Sequence, residues 1–135
     1  MSLGKRIRKV RTFRELTQCE LGELMGWDKN EDVRIAQYET GKRSPKLPAQ
    51  IGLADALDIS PAALTACVGT TAVDFMESLL WIEEFAGDDV IRACIEEWQE
   101  MKNKLHWGEI SEEEYFEWKL RWTEPRKDSD FQKEQ

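Results

Sequence analysis

Apolar residues in this chain recur three and four positions apart, and nowhere do they alternate with polar ones over the length of a strand. Only a helix puts residues so spaced on one face, so the pattern predicts an all-α protein. Leu3, Ile7, Val10 and Phe13 mark a first helix. Thr17 followed three residues later by Glu20 is a capping box, in which each side chain can bond the other residue's backbone N–H. A second helix of about two turns therefore starts at Gln18, carries Leu21, Leu24 and Met25, and ends at Gly26. Val33, Ile35 and Tyr38 lie on a third helix that stops at Gly41, where a positive backbone φ suits glycine. Leu47, Ile51, Ala54 and Leu57 give a fourth, and Ser60 before Pro61 opens a fifth that is expected to end near Cys67.

The small-residue run VGTTAV at 68 to 73 divides the chain into expected domains at 1–68 and 69–135. Beyond it, Thr71 with Asp74 caps a helix carrying Phe75, Leu79, Ile82 and Phe85, stopped by Gly87. Next come Ile91, Cys94, Trp98, Met101 and Leu105 at alternating spacings of 3 and 4, the signature of a helix-helix seam. Ser111 with Glu114 opens a last helix lined by Tyr115, Trp118 and Trp122, and the polar tail at 125–135 is expected to be disordered.

The net charge of −8 is unevenly spread. Residues 1 to 69 hold 11 Lys/Arg against 9 Asp/Glu, a net +2, whereas residues 70 to 135 hold 8 against 18, a net −10. In the first part Lys5, Arg6, Arg8, Lys9, Arg11 and Arg14 form a local basic patch, expected to be the outer face of the first helix. Three cysteines without a CxxC pair argue against a disulfide framework or a zinc site and read as buried reduced thiols. With His106 the only histidine and no Gly-rich phosphate loop, no catalytic residue, metal site or cofactor is expected, and the chain does not read as an enzyme. No apolar run reaches the ~20 residues of a membrane span, and MSLGKRIRKV lacks the apolar core of a secretory signal. A cytoplasmic location is expected.

Three segments, LTQCELGELMG, RIAQYETGKRSP and LADALDISPAAL, occur in the order and nearly the spacing of the Cro/repressor-type, XRE-like helix-turn-helix family, which residues 3 to 64 resemble. The resemblance implies a five-helix, lambda-repressor-like DNA-binding domain followed by a C-terminal helical region. It further implies a transcriptional regulator, a repressor by expectation, whose third helix enters the major groove of double-stranded DNA. On that helix it turns Ile35 and Tyr38 to the core and leaves Asp32, Val33, Arg34, Ala36 and Gln37 to face outward, the set from which the family reads bases. Arg34 can pair bidentately with guanine and Gln37 with adenine. Gln18, Lys42 and Arg43 match the family's phosphate-holding positions, and Arg11 with Glu39 its buried ion pair between the first and third helices.

The sequence departs from the family in two places. About three extra residues precede Val33, so Asp28, Lys29, Asn30 and Glu31 are expected to form a longer turn, with Asp28 or Asn30 capping the third helix. Glu15 stands where the family often has glycine, which suggests a changed turn.

In the acidic part, residues 96 to 122 are similar to SHOCT-like helical hairpins with a GxIxxEEY turn. Five of the six tryptophans lie beyond residue 70, more aromatic surface than a two-helix unit can hide. The seam Ile91, Trp98, Met101 and Leu105 is therefore expected either to pack within the chain or to join two copies. A dimer suits a reader of inverted repeats, since a two-fold pair doubles the contact on a palindrome. The rival expectation is an interaction module, such as an antitoxin or a phage regulatory partner, whose acidic part holds a basic protein.

Overall fold

The computed structural model describes residues 2–65 and 71–123. Among these the chain is entirely helical, in two compact units that divide between residues 67 and 68. The sequence-expected break at 68–70, Cys67 and the tail beyond 124 lie outside the described residues.

The first unit holds α1 (Leu3–Phe13), α2 (Gln18–Leu24), α3 (Glu31–Thr40), α4 (Leu47–Ala56) and α5 (Ala62–Thr65). Its core is Ile7 and Val10 of α1, Leu21 of α2, Ile35 and Tyr38 of α3, Leu53, Ala54 and Leu57 around α4, Ile59, and Leu64 of α5. The apolar spacings of the sequence converge on this centre only in part, since Leu24 of the expected α2 stripe and Leu47 and Ile51 of the α4 stripe are 57%, 58% and 47% exposed. Thr17 accepts from the Glu20 N–H and the Glu20 carboxylate accepts from the Thr17 N–H, so both halves of the capping box form.

Helices α1, α2 and α4 end alike. At α2 the N–H of Gly26 donates to Glu23 and that of Trp27 to Gly22, with Gly26 at φ 76°, which is the Schellman arrangement. Glu15 (φ 58°) and Asp58 (φ 55°) hold the equivalent left-handed positions after α1 and α4. Glu15 adopts the glycine conformation and bears the steric cost of a Cβ there.

Two glycines set how closely the helices approach. A Cβ on Gly22 would lie 2.2 Å from the Glu31 Cβ, and one on Gly4 would lie 2.4 Å from the Tyr38 carbonyl oxygen. Helices α2 and α1 can meet α3 only where they carry no side chain.

The basic face of α1 is only half a solvent face. Arg6 donates to the Ala63 carbonyl, Arg14 to the carbonyls of Leu57 and Asp58, and Arg11 to Glu39 and the Leu16 carbonyl. These guanidiniums satisfy carbonyls at helix ends that would otherwise lack a partner. Lys5, Arg8 and Lys9 remain exposed. The expected buried thiols also need correction: Cys19 is exposed and Cys94 half-buried, neither in a disulfide.

The second unit holds α6 (Ala72–Ala86), α7 (Asp88–His106) and α8 (Glu112–Arg121). Thr71 and Asp74 form a full capping box on α6, and Ser111 accepts from the Glu114 N–H at the start of α8. The turn between α7 and α8 is another Schellman end, with Gly108 at φ 72°. The Glu97 carboxylate of α7 accepts the indole N–H of both Trp118 (3.3 Å) and Trp122 (3.1 Å), and Trp98 donates to the Tyr115 hydroxyl (3.0 Å). The seam residues Ile91, Met101 and Leu105 are half-buried, and Trp98 is 47% exposed. Since Cys94 and Trp98 line the same hollow as Trp118 and Trp122, this side of α7 faces α8 of its own chain.

Candidate nucleic-acid interface

An α-helix turns about 100° per residue, so Ile35 and Tyr38, both buried, fix which side of α3 faces inward. Val33 and Gln37 then lie near the centre of the outward side. Arg34 falls on one flank and Asp32 on the other. Val33 is 47% exposed.

The helix is held from behind. Arg11 and Glu39 form a bidentate pair, Nε to Oε1 at 2.5 Å and Nη2 to Oε2 at 3.1 Å, with side chains 11% and 4% exposed. Gln18 Nε2 donates to the same carboxylate, at 3.0 Å from Oε2. One glutamate thereby joins α1, the start of α2 and α3. Gln18 retains a second amide hydrogen, and its backbone N–H belongs to the first turn of α2, where such groups lack intrahelical partners.

Arg34 rests on Trp27, its guanidinium carbon 5.0 Å from the ring centroid. Trp27 in turn meets Tyr38 edge-on, at 6.1 Å between centroids and 60° between planes. Stacking leaves the in-plane N–H donors of Arg34 available while restricting where they point. Sequence reasoning missed Trp27 as this platform; an aromatic residue just past the end of α2 is the one signal it could have used.

Gly41 adopts φ 78° at the end of α3, and the N–H of Arg43 bonds back to the Gln37 carbonyl (3.1 Å). This turn keeps exposed Lys42 and Arg43 beside the last turn of the helix. Both are cations near a helix C-terminus, a favourable placement even without a ligand.

The start of α3 differs from expectation. Asn30 is the N-cap, in left-handed conformation at φ 56°, and makes no side-chain capping bond; no capping bond involves Asp28 either. Glu31 and Asp32 occupy the first turn, where negative charge complements the positive end of the helix dipole. Local desolvation and the carboxylates of Glu23, Glu31 and Asp32 push the Cys19 thiol up from its ordinary pKa. Asp32 lies with Glu31 in the acidic first turn of α3, beside α2, whose Gly22 meets the Glu31 backbone.

The nine residues singled out from sequence around this element therefore form two layers. Val33, Arg34, Gln37, Lys42 and Arg43 are at the surface of α3 and its following turn, Asp32 is on the α2-side flank, and Arg11, Gln18 and Glu39 brace the helix. Among the described residues no group of three or more His, Cys, Asp or Glu is placed to hold a metal ion, and no helix is long and apolar enough to cross a membrane. Comparison with protein-family models, with curated proteins and with solved structures finds no match to the chain.

Proposed function

We propose that the chain is a sequence-specific binder of double-stranded DNA, a transcriptional repressor whose first unit is a lambda-repressor-like helix-turn-helix domain and which acts as a homodimer on an inverted-repeat operator. The observation that carries this reading is the bracing of α3: one buried carboxylate, Glu39, ties it to Arg11 and Gln18, while its outward side carries exposed Val33 and half-buried Gln37, with exposed Arg34 on the flank. Ten residues span about 15 Å, a length that lies readily along a major groove about 12 Å wide.

In this reading Gln37 bonds an adenine, Arg34 a guanine, and Val33 contacts a thymine methyl. Gln18, Lys42 and Arg43 hold phosphates, and the Arg34–Trp27 stack limits the orientational freedom lost on docking. Asp32 either accepts from a cytosine amino group or stays with Glu31 at the edge of the contact.

The roles are separable by titrating duplexes at several salt concentrations. Lys42→Ala is expected to weaken binding to all sequences alike and to lower the salt slope by about 1. Gln37→Ala and Arg34→Ala are expected to relax preference at particular base pairs, each by about 1–3 kcal/mol. Equal, sequence-independent losses for all three would overturn the assignment.

The acidic first turn of α3, with Glu31 and Asp32, favours a second reading, in which this surface docks a basic protein, as in an antitoxin or phage regulatory partner. Stoichiometric co-purification of a basic partner, with no duplex binding, would select it.

A further inference from the structure

Helix α6 is apolar around most of its circumference, a pattern found where a helix is buried. Yet Phe75, Trp81, Ile82 and Phe85 are 54%, 62%, 46% and 82% exposed. Trp81 and Phe85 stack on each other with centroids 5.7 Å apart, an ordered aromatic surface facing solvent. At ~100° per residue, Trp81, Phe85, Ser78, Ile82, Phe75, Ala86 and Leu79 fall within about 160° of arc. The only acid in that arc is Asp74, and its carboxylate is occupied by the Thr71 N–H and hydroxyl. Outside the arc, Glu77 and Glu84 flank Trp81 and Glu83 lies beyond Leu79, interspersed with exposed Val73, Met76 and Leu80.

We infer that this arc of α6, not the seam on α7, is the surface through which two copies of the chain associate. The inference rests on the DNA reading only for why a dimer is useful; its evidence is the helix itself. On the α7 seam Trp98 is tied to Tyr115 of α8, and Trp118 and Trp122 at the other side bond Glu97 of α7, so the seam has a partner within the chain. The α6 arc presents no free charge, so two copies can bring it together without opposing like charges, while the remaining glutamates stay in water. A basic partner would be drawn to those glutamates outside the arc instead. With aromatic residues contributing ~150–250 Å² each when fully buried, the arc offers on the order of 500 Å² per copy. That is most of the about 800 Å² per partner found in standard interfaces.

The test is sedimentation equilibrium of the full chain at tens of micromolar, with Ile82→Glu and Phe85→Glu in the arc and Met76→Glu outside it as comparison. These side chains are exposed, so the fold is expected to persist, which far-UV circular dichroism verifies. The inference expects wild type and Met76→Glu at twice the chain mass, and Ile82→Glu and Phe85→Glu at the chain mass. A monomeric wild type, or arc variants that stay as dimeric as wild type, would overturn it. Duplex titration of the same samples separates this from the DNA reading. A dimer that binds no duplex supports the interface and refutes DNA binding, whereas a wild-type monomer that binds duplex overturns the interface alone.

Discussion

Replacing Gly22 by alanine sets two effects of opposite sign against each other. Alanine is intrinsically better in a helix interior by about 1 kcal/mol. Against this, the new Cβ would sit 2.2 Å from the Glu31 Cβ, more than 1 Å inside ordinary contact, and 2.8 Å from its Cα, and both atoms are fixed to α3. Overpacking of this kind costs about 1–3 kcal/mol, and two helix backbones that must separate put it at the upper end. The net expectation is a loss of about 2 kcal/mol, or roughly 10 °C in Tm for a unit of this size.

Gly52→Ala in α4 is the internal comparison. Its Cβ would meet only the Met25 methyl at 3.2 Å, the far end of a flexible side chain, so the propensity gain should survive. Urea unfolding followed by circular dichroism, with hydrogen exchange over residues 18–40 to localise the effect, measures both. If Gly22→Ala were as stabilising as Gly52→Ala, the α2–α3 approach described above would be wrong.

Other substitutions probe the frame around α3 in turn. Arg11→Ala leaves the Glu39 carboxylate, 4% exposed, without its counter-ion, and should cost about 3–5 kcal/mol; a loss below 1 kcal/mol in urea unfolding would show the pair to be dispensable. Glu15→Gly removes a Cβ from a left-handed position and is expected to raise stability by about 1 kcal/mol; a lower Tm would contradict the strain. Glu20 has its pKa lowered, first by the Thr17 N–H and then by the Thr17 hydroxyl, so its cap is fully present above the ordinary carboxylate range and is lost as pH falls through the lowered value. The stability gap between wild type and Glu20→Gln should therefore close in acid, and an NMR titration placing Glu20 at or above the usual glutamate value would refute the cap.

Features that depend on near neighbours are legible in the sequence. Thr17 with Glu20 and Thr71 with Asp74 predict their caps because both bonds span three residues. The inward pair Ile35 and Tyr38 fixes the faces of α3 for the same reason. The Arg11–Glu39 pair comes only through the family resemblance, since nothing local joins residues 28 positions apart.

Features that depend on how helices meet are not legible. Arg6 and Arg14 look like their solvent-facing neighbours until α4 and α5 supply carbonyls within reach of their long side chains. Gly22 reads as a weak helix residue until α3 crosses it. Asn30 is a good cap by composition, yet its left-handed backbone is not the extended conformation in which a cap side chain reaches forward. The α7 seam has the right spacing for a partner, but spacing cannot say whether the partner is α8 or another chain. Helix α6 shows the limit most plainly: its spacing picks out Phe75, Leu79, Ile82 and Phe85, but cannot say that Phe75, Ile82 and Phe85 stay exposed within the chain.

The most direct measurement of the central claim is selection of bound duplexes from a random DNA pool by the full-length protein at a salt concentration near 0.1 M, stated because phosphate contacts make affinity salt-dependent. The account predicts enrichment of an inverted repeat with half-sites about one helical turn apart, with base preferences that change in Gln37→Ala and Arg34→Ala. A folded protein that enriches no sequence would contradict it and turn attention to the protein partner that the acidic start of α3 favours.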